Sequence, residues 1–189
     1  MTADGYFQSA IPEPFRILGL ELKPLSLGRY RLLKRHDCAF VADGPRNAST
    51  LDLIIGVLIC SMRVDEFQEF MRSPEFGEQT KSWWHQALAS SVDFNILEKI
   101  ALFQRYIKTH SAFPDYWDES ESSQCSGAHW AFSLAVTLKS ELKWTEEEIN
   151  EEPLCKALFE YFKWAESQGS IQLMTQSDIE EGKKNVITH

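Results

Sequence analysis

The sequence predicts a mainly α-helical fold, a single-domain irregular bundle of six or seven helices with one possible two-stranded β ribbon. Three observations carry this. Apolar residues recur at three- and four-residue spacing, most clearly at Ile96, Leu97, Ile100, Phe103 and Ile107. Helix-start residues stand ahead of such stripes, as Ser26, Ser49 or Thr50, Asp93 and the Thr145/Glu148 pair do. Hydrophobic residues make up 43% and charged residues 25% of 189, which suits a globular chain long enough to bury one sizeable core.

Taken in order, residues 1–10 are polar and unpatterned and are expected to form a mobile arm, ahead of a helical domain over 11–175. Phe15 to Leu22 lies between Pro14 and Pro24 and fits either a short strand or an extended arm. Ser26 then caps a helix through Leu27, Tyr30 and Leu33, with the cluster Arg29, Arg31, Lys34 and Arg35 read as its solvated face. After the break at Asp43-Gly44-Pro45, Leu51 to Met62 is apolar nearly all round and is the candidate central core helix.

Val64 to Arg72 carries Phe67, Phe70 and Met71, and Pro74 opens a helix bearing Trp83, Trp84, Ala87 and Leu88. The helix capped by Asp93 ends near Thr109, ahead of Pro114. Residues 111–126 lack a periodic apolar face and read as the main loop, with Tyr116 and Trp117 its two large side chains. Trp130, Leu134, Leu138 and Leu142 mark a helix from about Gly127 to Leu142. Thr145 with Glu148 forms a capping box, Pro153 suits the first turn of a helix over Leu154 to Ser167, and Gly169 ends it. Ile171 to Met174 is expected to be a brief strand pairing with Phe15 to Leu22, and 176–189 a polar tail.

Several function classes are disfavoured. No apolar run approaches the roughly 18 to 20 residues that cross a bilayer. The first ten residues have neither the basic start nor the apolar block of a secretion signal, which points to the cytoplasm. A net charge of −9 repels nucleic-acid backbones. Neither a Walker pattern nor GxGxxG occurs, so no nucleotide cofactor is expected. Cys38, Cys60, Cys125 and Cys155 are too scattered for a disulfide framework or a zinc site, so no metal is expected.

Constellations with chemical potential read as structural. Asp115, Asp118, Glu119 and Glu121 lack the ligand order and central glycine of a calcium loop. Glu146, Glu147, Glu148, Glu151 and Glu152 crowd a helix start, where the helix dipole favours negative charge. Cys125 and His129, four apart, are an example of a nucleophilic pair that could touch at a helix start, but nothing else supports a catalytic centre, and the chain is expected to be no enzyme. Trp and Tyr bury much area with few rotatable bonds. Trp84, Tyr116 and Trp117 are therefore the candidate partner-binding residues.

The run Phe15-Arg16-Ile17-Leu18-Gly19-Leu20 is followed by Pro24-Leu25-Ser26-Leu27-Gly28, a Leu-rich helix and Phe40. Later come the Trp130 helix, an acidic capping turn ending in Asn150, Pro153-Leu154, and Trp164-Ala165-Glu166 before Gly169. This order of pieces resembles the tail assembly chaperones of tailed bacteriophages and prophages, over roughly residues 15 to 62 and 126 to 170. The resemblance implies a small, acidic, helical, non-enzymatic protein of the bacterial host cytoplasm that coats the tape-measure protein and keeps it from aggregating. It assigns no binding residue. Acidity suits a basic client. The alternatives are a structural virion component, such as a head-tail connector or tail protein built as a homo-oligomer, and a helical small-ligand binder or enzyme with an aromatic-lined pocket.

Overall fold

Three-residue strands open the described part of the chain. The computed structural model describes residues 14–89, 94–112, 129–174 and 178, and the backbone of 116–118. Strands β1 (Phe15–Ile17) and β2 (Leu20–Leu22) pair antiparallel, Phe15 opposite Leu22 and Ile17 opposite Leu20. Leu18 and Gly19 make the two-residue turn with φ of 53° and 80°, the positive values that match the twist of a tight hairpin. Alternation puts Ile17 and Leu22 in the core and the opposed charges Arg16 and Glu21 outside. The segment between Pro14 and Pro24 is thus a closed hairpin.

Eight α-helices follow among the described residues. Helix α1 (Leu27–Arg35) is capped by the Ser26 hydroxyl, which accepts from the Arg29 amide at 3.2 Å. A 3-10 turn, Ala39–Val41, leads to α2 (Thr50–Ser61). Asp52 closes the capping box with Ser49 and also accepts the Ala39 amide at 2.9 Å, so one carboxylate fixes both the helix start and the turn before it. Leu53, Val57, Leu58, Ile59 and Cys60 of α2 are buried, while Leu51 in its first turn is 66% exposed. Gly56 lets α2 and α5 approach closely, since a β carbon there would lie 2.8 Å from the Phe103 ring.

Helices α3 (Val64–Arg72) and α4 (Phe76–Ala89) come next, and α4 begins two residues after Pro74. Only Ala87 of α4 is fully buried. Helix α5 (Ile96–His110) is capped by Asn95, whose side chain accepts two amides. Asp93, expected to be that cap, lies outside the described residues. Helix α6 (Trp130–Ser140) buries Ala131, Leu134 and Leu138. The short α7 (Glu146–Glu151) carries the Thr145/Glu148 capping box. Helix α8 (Leu154–Ser167) ends before Gly169, whose φ is 70°.

Two expectations about strands are corrected. Ile171–Leu173 (β4) pairs with Tyr116–Asp118 (β3), Trp117 opposite Gln172, and not with the first hairpin. The 111–126 segment therefore contains a strand in what the sequence presented as loop. The first hairpin satisfies its own inner ladder and packs on α2 and α5, which leaves β4 to find another partner.

Helix α1 is the hub, packed against α2, α3, α6 and α7. That position explains why Leu27, Gly28, Arg29, Tyr30, Leu32 and Leu33 are all buried. Gly28 meets α7 so closely that a β carbon would stand 2.7 Å from the Asn150 α carbon. The segment ahead of α1 is tied down as well, with Lys23 donating to the Cys60 carbonyl at 2.8 Å and Leu154 to the Leu25 carbonyl at 2.7 Å. Buried apolar residues from both hairpin strands, helices α1 to α8 and β4 join in one connected cluster.

Candidate functional site

Arg29 belongs to that hub and not to a solvated face. It is 1% exposed. Its Nε and Nη2 donate to the Met62 carbonyl at 3.0 and 2.9 Å, Nη1 to the Pro24 carbonyl and Ser26 hydroxyl at 3.3 and 3.2 Å, and Nη2 to Glu151 Oε2 at 2.5 Å. The other Glu151 oxygen accepts the Val64 amide at 2.7 Å. The Ser26 hydroxyl meanwhile donates to the Asn150 carbonyl. A buried charge is tolerated only when paired and fully hydrogen-bonded, and the planar guanidinium fork meets that demand here. The node pins the start of α1, the α2–α3 junction and the end of α7, which form one side of a groove.

The groove runs between α1, α3, α6 and α7 and encloses about 560 Å³. Gly28 and Leu32 of α1, Val64 and Gln68 of α3, Ala131 and Phe132 of α6 and Asn150 of α7 line it. Phe132 is 57% exposed and Val136, one turn on, is 65% exposed. At 3.6 residues per turn these two point about 120 to 160° away from Trp130, Leu134 and Leu138, so α6 is apolar on both sides. The two make an exposed apolar pair on the face of α6 turned away from the core.

The groove's positive charges come from the three outer members of the basic cluster, and Asp43 and Glu146 line it as well. Lys34 pairs with Asp43 at 2.6 Å, and this hydrogen bond holds the Asp43 carboxyl below its usual range. Arg31 lies over the Phe132 ring, 5.4 Å from its centroid, in cation–π geometry, and stands 3.9 Å from Glu146. Arg35 is exposed and has no carboxylate in ion-pair reach among the described residues. At the groove's end His129 caps α6, its Nδ1 accepting the Ala131 amide at 3.3 Å. Its Nε2 is 3.5 Å from Asp43. Tyr30 stacks on Trp130 with ring centroids 4.8 Å apart, and burial pushes its hydroxyl above the ordinary phenol range.

No protein-family model, no curated protein and no solved structure matches the chain. Chemistry must therefore be read from the side chains alone. Burial pushes the Cys38 thiol up to about 11 and the Cys60 thiol up to about 12, and raises Cys155, so all three are protonated and poorly nucleophilic at neutral pH. The five carboxylates around α7 are each engaged in structure. Glu146 faces Lys139 at 3.3 Å, Glu147 pairs with Arg63 at 3.0 Å and Glu148 holds the capping box. Glu151 takes Arg29, and Glu152 takes Lys156 at 3.1 Å. Three histidines sit in separate surroundings, His36 edge-on to Phe67, His110 between Phe15 and Tyr106, and His129 at the α6 start. Among the described residues, no group of three or more His, Cys, Asp or Glu converges as metal ligands would, and no helix is long and apolar enough to cross a membrane.

Of the predicted contact residues, Trp84 is not among the residues lining this groove. Trp84 is half-buried on α4 and stacks edge-on against Phe94 with ring centroids 5.7 Å apart, so its own chain covers part of the indole. Tyr116 and Trp117 stand in β3, and their side chains lie outside the described residues, as do Cys125 and the acidic side chains from 115 to 121. The late aromatics act as packing. Phe162 is buried, Trp144 donates to Glu160 at 2.8 Å, and Tyr161 stacks on Trp164 at 6.0 Å. What sequence reasoning missed is Phe132 with Val136, whose four-residue spacing off the core stripe was the available signal.

Proposed function

We propose that the protein is a non-enzymatic binding component that takes a helical segment of another protein into the α1–α6 groove, and that it serves as a tail assembly chaperone for a phage tape-measure protein. The observation that carries the binding reading is the exposed pair Phe132 and Val136 beside an open groove, with Arg31 laid over the Phe132 ring. An amphipathic helix recognises such a surface by apolar residues one turn apart. The client comes from the sequence resemblance, since chaperones of that family hold an aggregation-prone helical protein in the host cytoplasm. Buried thiols at Cys38, Cys60 and Cys155 and α7 carboxylates paired with lysine, arginine or backbone, all among the described residues, suit a binding role better than catalysis.

The test is co-expression of the chain with the longest helical open reading frame beside its gene, followed by size exclusion with light scattering. A soluble complex holding several copies of this chain, with a client that is insoluble alone, supports the proposal. A chain that ignores the client and closes into a ring by itself makes it a structural virion component instead.

A further inference from the structure

We infer that the segment docking in the groove is an amphipathic helix with an acidic edge, two carboxylates one turn apart beside its apolar stripe. The inference rests on the protein-binding reading above and narrows it to one partner chemistry.

The whole chain carries −9, which at long range favours a basic partner. Screening over about 8 to 10 Å makes the immediate rim decisive once a partner has docked. At this rim the balance is reversed. Lys34 is neutralised by Asp43 at 2.6 Å. Arg31 has only a 3.9 Å approach to Glu146, and Glu146 is shared with Lys139 at 3.3 Å, so Arg31 is under-neutralised. Arg35 is exposed and has no carboxylate within ion-pair reach among the described residues.

Arg31 and Arg35 are four apart on α1, hence one turn apart on one face. Their guanidinium forks match carboxylates in geometry as well as charge. Arg31 also touches Phe132, so the groove offers a pair of arginines beside an aromatic ring, with the exposed Val136 one turn further along α6. A helix carrying Asp or Glu at i and i+4, with apolar residues on the adjacent stripe, fills all of them at once. A continuous phosphate backbone does not, because it carries a charge at every residue and so meets Asp43 and Glu146 as well as the arginines, whereas a helix confines its two acids to the Arg31–Arg35 edge.

The test uses the full chain as bait for a displayed library of helix-forming peptides, followed by fluorescence anisotropy of the enriched sequences. Expected are peptides with paired acids one turn apart next to an apolar pair. R35E is expected to weaken them about tenfold, in the range of a close interfacial charge pair, and to improve the charge-swapped versions. Phe132→Ser is expected to weaken peptides of either charge. Both side chains are exposed, and a circular dichroism melt confirms that each variant folds. Enriched peptides with neutral or basic edges, indifferent to R35E but lost with Phe132→Ser, overturn the acidic edge and leave the groove reading standing. Peptides indifferent to both changes, or no enrichment at all, overturn both readings. A single-stranded oligonucleotide that displaces the peptides with equal affinity makes the site a polyanion surface and overturns the inference.

Discussion

Replacing Arg29 with Met is expected to destabilise the fold by about 3 to 5 kcal/mol, the usual cost of removing one partner from a buried ion pair. The structure says why the upper part of that range applies. The guanidinium is 1% exposed and makes five hydrogen bonds, and Met supplies none of them. The carbonyls of Pro24 and Met62 and one oxygen of Glu151 lose donors together. The reciprocal change, Glu151→Gln, is expected to cost less. Glu151 is 19% exposed, and Gln keeps an oxygen for the Val64 amide. It still leaves Arg29 without its counter-charge. Arg29→Lys keeps the charge but loses the fork, so it should fall close to Met. Urea unfolding followed by far-ultraviolet circular dichroism measures all three, and the double variant closes a cycle whose coupling should lie in the range of about 0.5 to 3 kcal/mol for contacting residues. An Arg29→Met cost below about 1 kcal/mol, the level of a surface ion pair, refutes the buried node.

Three further outcomes follow from the same geometry. Gly28→Ala gains about 1 kcal/mol of helix propensity. Its new β carbon would stand 2.7 Å from backbone atoms of Asn150, and overpacking of that kind costs about 1 to 3 kcal/mol, so the melting temperature should fall. A rise would mean that α7 does not seat on α1 as described. Burial lowers the His110 imidazole below its ordinary 6.5, so the unfolded chain binds that proton more readily. Stability is therefore full above about pH 6.5 and declines as the pH drops toward the depressed folded value, and His110→Phe should flatten the decline in unfolding free energy measured across that window. Phe132→Ser should leave urea stability within about 0.5 kcal/mol of the parent, because the ring is mostly exposed, and a larger loss would mark it as packing.

Much of the helical framework was legible because its signals are local. Ser26, Ser49, the Thr145/Glu148 box and Gly169 each act within a turn of their own position, and the structure uses every one of them. The stripes of α5 and α6 were likewise readable from spacing, except that Leu97, counted in the α5 stripe, is 71% exposed and faces away from the core. Features that depend on distant chain were not. The fate of Arg29 is decided by Glu151, 122 residues away, and a run of basic residues gives no hint that its first member is internal. The pairing of β4 depended on which short strand was still free, and three-residue strands carry too little alternation to say. The groove assembles from α1, α3, α6 and α7, so no single segment announced it. Trp84 looked available because its partner, Phe94, lies across the helix break that separates them.

The most direct test of the groove as the binding surface is amide hydrogen exchange on the chain alone and in complex with its co-purified client. Protection should rise in α1 around Arg31 to Arg35 and in the first two turns of α6, and α4 should be unchanged. Protection centred on α4 and Trp84, with α1 and α6 unaffected, would contradict the account.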